Sequence, residues 1–201
     1  MTELPCVAGI LVGGKSSRFG RPKALEPLPS GKTVLAHVIE AARSVASDVV
    51  LLGTSGEIDA TAFNCRLLPD PSGASGPIGG LSSLLAYAPD RWGLLLACDL
   101  PLLQSELLVS MLKIVRADDS IDAVTFGTGL EKRPFYACCA LYHPRILPQV
   151  LDAVNHRRFR MQAILQAVRT HVITPDESQM RLLQDMNTPE DKSRLLGWWN
   201  R

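Results

Sequence analysis

The sequence predicts an α/β fold, a doubly wound and mostly parallel sheet of Rossmann-like type, built as one domain over residues 1–201. Three observations predict it. Short β-branched or leucine-rich runs alternate with stretches of helical periodicity. The runs are continuously apolar, as strands buried on both faces are. Repetition of β then α calls for right-handed crossovers, which lay helices on both faces of the sheet.

The elements follow in chain order. Residues 7–12, 49–52, 66–68, 93–97 and 123–126 read as central strands. The amphipathic stretches 33–46, 78–88 and 105–117 read as the helices between them. Beyond Phe126 the alternation loosens: 135–142 reads as a long strand, 145–154 and 161–168 as helices. A last helix over 189–196 has Thr188 as its cap and Glu190 and Asp191 in the first turn, where carboxylates suit the helix dipole. There are no repeats, low-complexity tracts or linkers.

Composition bounds the function. A chain of 201 residues, 46% hydrophobic and 20% charged, can bury one good core and is too short for two ordinary domains. The net charge of +1 is spread along the chain, which excludes the basic footprint of a nucleic-acid binder. Five cysteines, odd in number and without a C-x-x-C pair, fit a reduced cytosol. Adjacent Cys138 and Cys139 would point to opposite faces of a strand, which argues against a metal site there. No apolar run approaches the roughly 20 residues of a membrane span. The start, Met1-Thr2-Glu3, lacks the basic flank and apolar core of a signal peptide, so the expected location is the cytoplasm. The four histidines have no ligand spacing, and no Ser-His-Asp constellation can be assembled.

Chemistry concentrates where the first strand ends, in Gly13-Gly14-Lys15-Ser16-Ser17-Arg18-Phe19-Gly20-Arg21-Pro22-Lys23. Gly13 and Gly14 let the backbone bring its N–H groups close to an anion. Ser16 and Ser17 add donors, Arg18 a planar fork for two phosphate oxygens, and Lys23 a mobile point charge. Gly9, Gly14, Lys15 and Ser16 formally satisfy the P-loop pattern, with 94–99 as its acidic strand. That reading fails, because Ile10, Leu11 and Val12 belong to the strand and leave only Gly13 to wrap a phosphate. Gly20, Pro22, Pro27 and Pro29 would also break the helix that a P-loop opens.

In such a sheet ligands bind at the carboxyl ends of the strands. This gathers the glycine loop, the stretch 70–80 and Asp99 into one crevice. Asp99 follows a fully apolar strand and precedes Leu100-Pro101. A lone carboxylate there suits Mg²⁺, which takes one or two protein oxygens plus substrate phosphates; it also suits a helix cap or a turn. The stretch Asp70-Pro71-Ser72-Gly73-Ala74-Ser75-Gly76-Pro77-Ile78-Gly79-Gly80 is rich in turn formers and reads equally as a surface loop. Gly79-Gly80 weakens the helix it opens; a base or ribose pressed on the backbone would account for it.

The run 11–23 resembles the signature L-A-G-G-x-S-x-R-M-G-x-x-K of the MobA-like nucleotidyltransferases, departing from it at Val12 and Phe19. Cys98-Asp99-Leu100-Pro101 is similar to the family's C-D-x-P motif, 70–80 to its D-x(n)-G-P-L-A-G element, and Met186-Asn187-Thr188-Pro189-Glu190-Asp191 to its V-N-T-P-E-E segment. The resemblance implies a nucleotidyltransferase (glycosyltransferase-A-like) fold and a molybdenum cofactor guanylyltransferase. Such an enzyme moves GMP from GTP to the terminal phosphate of molybdopterin and releases pyrophosphate.

It further implies a nucleotide site made by Leu11, Val12, Gly13, Gly14, Ser16, Arg18, Lys23, Asp70, Gly76, Pro77, Gly79, Gly80 and Asp99. Arg18, Lys23 and Asp99 would be catalytic, with Mg²⁺ on Asp99 and Asn187. Gly14 and 76–80 resemble the guanine-accepting version. Leu52 stands where the family often has an asparagine near the ribose. Pro134 and Arg157-Arg158 fall on the pterin side, where basic residues could meet the acceptor's phosphate, although solvated arginines are the better reading of the latter. The resemblance leaves room for transient contact with cofactor-biosynthesis proteins or acceptor enzymes. The alternatives are a cytidylyltransferase, a P-loop kinase and a non-catalytic nucleotide-binding module.

Overall fold

The computed structural model describes residues 6–13, 22–53 and 58–199. β1 (Cys6–Leu11), β2 (Asp48–Leu52), β3 (Arg66–Leu68), β4 (Trp92–Ala97), β5 (Ala123–Gly127), β6 (Phe135–Tyr142) and β7 (Thr170–Ile173) form a seven-stranded sheet in the order β3-β2-β1-β4-β6-β5-β7. Within it β3, β2, β1 and β4 run parallel, as do β5 and β7. Only β6, wedged between β4 and β5, is antiparallel to its neighbours.

Alternation of side chains along each strand feeds two separate cores. On one face Ala8, Ile10, Leu51, Leu94 and Leu96 pack with α1 (Val34–Arg43), α3 (Ser105–Ala117) and Leu195 of α7 (Pro189–Leu196). On the other, Val7, Val50, Leu52 and Leu95 meet α2 (Pro77–Tyr87), α4 (Leu147–Asn155) and α5 (Met161–Ala167). The continuous apolar runs of the sequence reflect this double burial.

Helix starts follow local chemistry. The Thr33 hydroxyl accepts from the N–H of Ala36 at 3.2 Å and opens α1. Thr188 and Asp191 close a reciprocal capping box at α7, as does Asp176 with Gln179 at α6 (Glu177–Leu182). The sequence reading stopped short of β7 and α6. Both are short and largely exposed, so neither carries an apolar run to betray it. The first helix ends at Arg43 and not at Ala46, and a 3₁₀ turn over Pro144–Ile146 precedes α4.

Candidate active site

The carboxyl ends of β1, β2, β3 and β4 open on one crevice, and the apolar strands deliver polar groups there because each ends in a forced turn. Val12 stays in the core and commits its N–H to the carbonyl of Leu52 at 3.0 Å. Gly13 follows, exposed, with its Cα and N 3.2 Å from where a Cβ on Gly53 would lie. Gly53 itself has φ +96°, a conformation that only glycine takes without strain. Gly14, Ser16, Ser17 and Arg18 of the expected phosphate loop lie outside the described residues.

Lys23, Asp99 and Asn187, distant in sequence, meet at this edge. The Lys23 ammonium donates to Asn187 Oδ1 at 2.7 Å and stands 4.0 Å from Asp99 Oδ2. Asn187 Nδ2 donates in turn to Asp185 Oδ2 at 2.6 Å. The N–H of Met186 donates to the Asp99 carbonyl at 2.9 Å and fixes this late segment against the end of β4. Burial raises the Asp99 carboxyl above the usual carboxylate range; the charge of Asp185 adds to this and Lys23 opposes it. Cys98 and Cys138 nearby have thiols pushed up to about 12, by burial first and then by Asp99, so neither is a thiolate nucleophile at neutral pH.

Asp70 lies beyond β3, and its carboxylate faces the start of α2. A Cβ on Gly79 would come 3.0 Å from Asp70 Cγ and 3.1 Å from its Oδ1. That Oδ1 is buried with no hydrogen-bond partner, and desolvation raises the carboxyl's pKa. A buried acceptor without a donor is costly unless something supplies one. Gly76, at φ +73°, caps α2 without a side-chain bond and Pro77 begins the helix.

A base or ribose was expected to account for Gly79-Gly80; at Gly80 packing within the fold supplies a reason of its own. A Cβ on Gly80 would come 2.5 Å from Leu11 Cδ2 and 3.2 Å from Leu52 Cβ. Close seating of α2 on β1 and β2 therefore accounts for Gly80. Leu52 is fully buried beneath it, which fits the absence of a polar residue at that position.

A cavity of about 670 Å³ adjoins the crevice, with Pro77 and Asp99 on its wall. Tyr136, Phe159 and Leu183 give it apolar surface, and Arg133, Gln162 and Asp185 give it polar groups. Pro134 lies between the wall residues Arg133 and Phe135, and Arg158, beside Phe159, pairs with Asp152. Asp185 escaped the sequence reading although it immediately precedes the Met186-Asn187-Thr188-Pro189 run. Arg133, Phe159 and Gln162 carried no such pattern.

For a divalent ion, Asp99 offers a hard oxygen whose local charge Lys23 only partly offsets. Among the described residues no group of three or more His, Cys, Asp or Glu could enclose a metal. A site with one or two carboxylates and room for phosphate oxygens fits Mg²⁺. Asn187, expected on the metal, has its amide engaged at both ends by Lys23 and Asp185. Among the described residues no helix is long and apolar enough to cross a membrane.

Comparison with known proteins matches residues 8–174 to the family model of the MobA-like NTP transferase domain. A probable molybdenum cofactor guanylyltransferase of a Nostoc species is 30% identical over 190 residues, covering 94% of this chain and 89% of that one. A molybdenum cofactor guanylyltransferase of Pseudomonas putida is 30% identical over 188 residues, covering 92% and 95%. The molybdopterin-guanine dinucleotide biosynthesis protein A of Archaeoglobus fulgidus has a similar fold, with a TM-score of 0.79 at 18% identity over 96% of this chain and 98% of that one. A CMP:2-keto-3-deoxy-manno-octonic acid synthetase complexed with CTP is also similar in fold, with a TM-score of 0.71 at 13% identity over 99% of each chain.

Proposed function

The chain belongs to the MobA-like NTP transferase family and is a nucleotidyltransferase, and from that premise we propose that it is a molybdenum cofactor guanylyltransferase of the cytoplasm. Its reaction would join the terminal phosphate of molybdopterin to the α-phosphorus of GTP and release pyrophosphate. The observation that carries the reading is the meeting of Lys23 and Asp99 at the mouth of a cavity large enough for a second substrate.

Each group then has a task. Lys23, with Arg18 and the amides of Gly13 and Gly14, would draw in the β- and γ-phosphates and stabilise the departing pyrophosphate. Asp70 Oδ1, buried without a donor, would accept one from the nucleotide. Gly76, Pro77 and Gly79 would bring backbone against base and sugar. Asp99 would hold Mg²⁺, with Asn187 beside it. The chemistry a bound magnesium supplies is neutralisation of charge on the phosphate oxygens. Arg133 and the aromatic wall of the cavity would take the acceptor and align its phosphate for in-line attack. No general base is needed, since the attacking phosphate is already ionised. Delivery of the finished dinucleotide to acceptor enzymes would need only transient contact.

Pyrophosphate release from GTP and from CTP, each with molybdopterin and with or without magnesium, tests the assignment. The expected result is magnesium-dependent release from GTP, favoured over CTP by about 10²-fold or more, and its near-complete loss in Asp99→Ala. Preference for CTP would make the protein a cytidylyltransferase. Release of orthophosphate in place of pyrophosphate would make it a kinase or hydrolase.

A further inference from the structure

We infer that Asp185 is a positioning residue for Lys23, acting through the side-chain amide of Asn187, an inference that rests on the nucleotidyltransferase reading of this site. The amide of Asn187 has two unlike ends, and a lysine ammonium can use only the oxygen. Asp185 settles which end faces which way: its carboxylate accepts only, so it holds Nδ2 at 2.6 Å and turns Oδ1 to Lys23 at 2.7 Å. A flipped amide would set its N–H groups against the ammonium and its oxygen against the Asp185 carboxylate, donor facing donor and acceptor facing acceptor.

The consequence concerns Asp99 as much as Lys23. With no acceptor on Asn187, the acidic group within reach of the ammonium among the described residues is Asp99, 4.0 Å away. Collapse onto it would tighten that long ion pair into a direct hydrogen bond and occupy the carboxylate oxygens that a metal would need. The Asp185–Asn187 pair thus holds the cation off the carboxylate and keeps both available to a phosphate and its metal.

The segment that carries the pair is anchored without the Asp185 side chain. Met186 is tied to the carbonyl of Asp99, and the N–H groups of Asn187 and Thr188 both donate to Asp191 Oδ2, at 3.1 and 3.0 Å. Asp185 also lines the second-substrate cavity, so one carboxylate touches both halves of the site.

Calorimetric binding of magnesium pyrophosphate to the full chain tests this, using Asp185→Ala, Asp185→Asn and Asn187→Ala, alone and combined with Lys23→Ala. Asp185→Ala and Asn187→Ala should each weaken binding about tenfold. Asp185→Asn, which can still offer an oxygen to Nδ2 but is no longer confined to accepting, should recover part of the affinity lost in Asp185→Ala. In the Lys23→Ala background neither alanine should weaken binding further, which a merely structural role would not reproduce. Parental affinity in Asp185→Ala, failure of asparagine to rescue, or a full effect without Lys23 would each overturn the inference. Should the parent bind pyrophosphate yet prefer CTP, the guanylyl assignment falls and the positioning role stands. If the parent binds no pyrophosphate, both fall.

Discussion

Replacing Gly53 by alanine puts a methyl group into the seam between the loops that follow β1 and β2. Its Cβ would lie 3.2 Å from both Cα and N of Gly13, which are backbone atoms and cannot rotate aside. Two costs add. An L residue held in left-handed backbone loses about 1–2 kcal/mol, and φ +96° lies beyond the usual left-handed well. Crowding against immovable atoms adds about 1–3 kcal/mol. Alanine's smaller unfolded-state entropy returns about 0.4–1 kcal/mol, so the net loss is about 1–4.5 kcal/mol. For a chain of this length that lowers the melting temperature by about 2–18 °C.

Gly31→Ala is the matched control, because Gly31 also has positive φ, +79°, but nothing within 4 Å of its Cβ position. Thermal melts followed by circular dichroism should show Gly53→Ala falling well below Gly31→Ala. Calorimetry should show GTP affinity falling too, since the displaced atoms open the phosphate loop. A Gly53→Ala protein that melts with its Gly31→Ala counterpart would refute the packing argument.

Two further outcomes are expected. The raised carboxyl of Asp99 means that its stabilising contribution is whole below the ordinary aspartate range and is lost as pH rises through its own elevated pKa. Metal-free Asp99→Asn should therefore melt higher than the parent at neutral pH, by about 1 kcal/mol of stability, with the gap closing as pH falls; a lower melt at neutral pH would show that burial is not the dominant cause. Gly80→Leu should abolish the cooperative melt and not only guanine binding, because Leu11 and Leu52 already fill the space; a folded protein that still binds GTP would contradict that packing.

Much of the layout was legible in the sequence because double burial writes itself as apolar runs, and β1, β2, β4, β5 and β6 carry such runs. β7 and α6 were not, since exposed short elements lean on tertiary contacts and capping. In the site, Lys23, Asp99 and Asn187 were singled out by motif and are brought together by the fold. What sequence could not supply was the partner of each. Asn187 turned out to serve Lys23 and Asp185, and Gly80 to serve a leucine pair. Spacing along a chain shows which residues share a face, whereas contacts between residues 164 positions apart depend on topology.

The reversed direction of β6 divides the labour of the site. Because it runs against β4, its first residues arrive beside the last residues of β4, and the turn over 128–134 that feeds it enters at the same edge as Asp99. On the proposed reading, the nucleotide end would be built from what leaves the parallel strands and the acceptor end from what enters the odd one. Insertions or exchanges in that single hairpin turn could recast which molecule is charged with the nucleotide while leaving the triphosphate grip untouched, so descendants of this scaffold can acquire new acceptors without relearning how to activate a nucleotide.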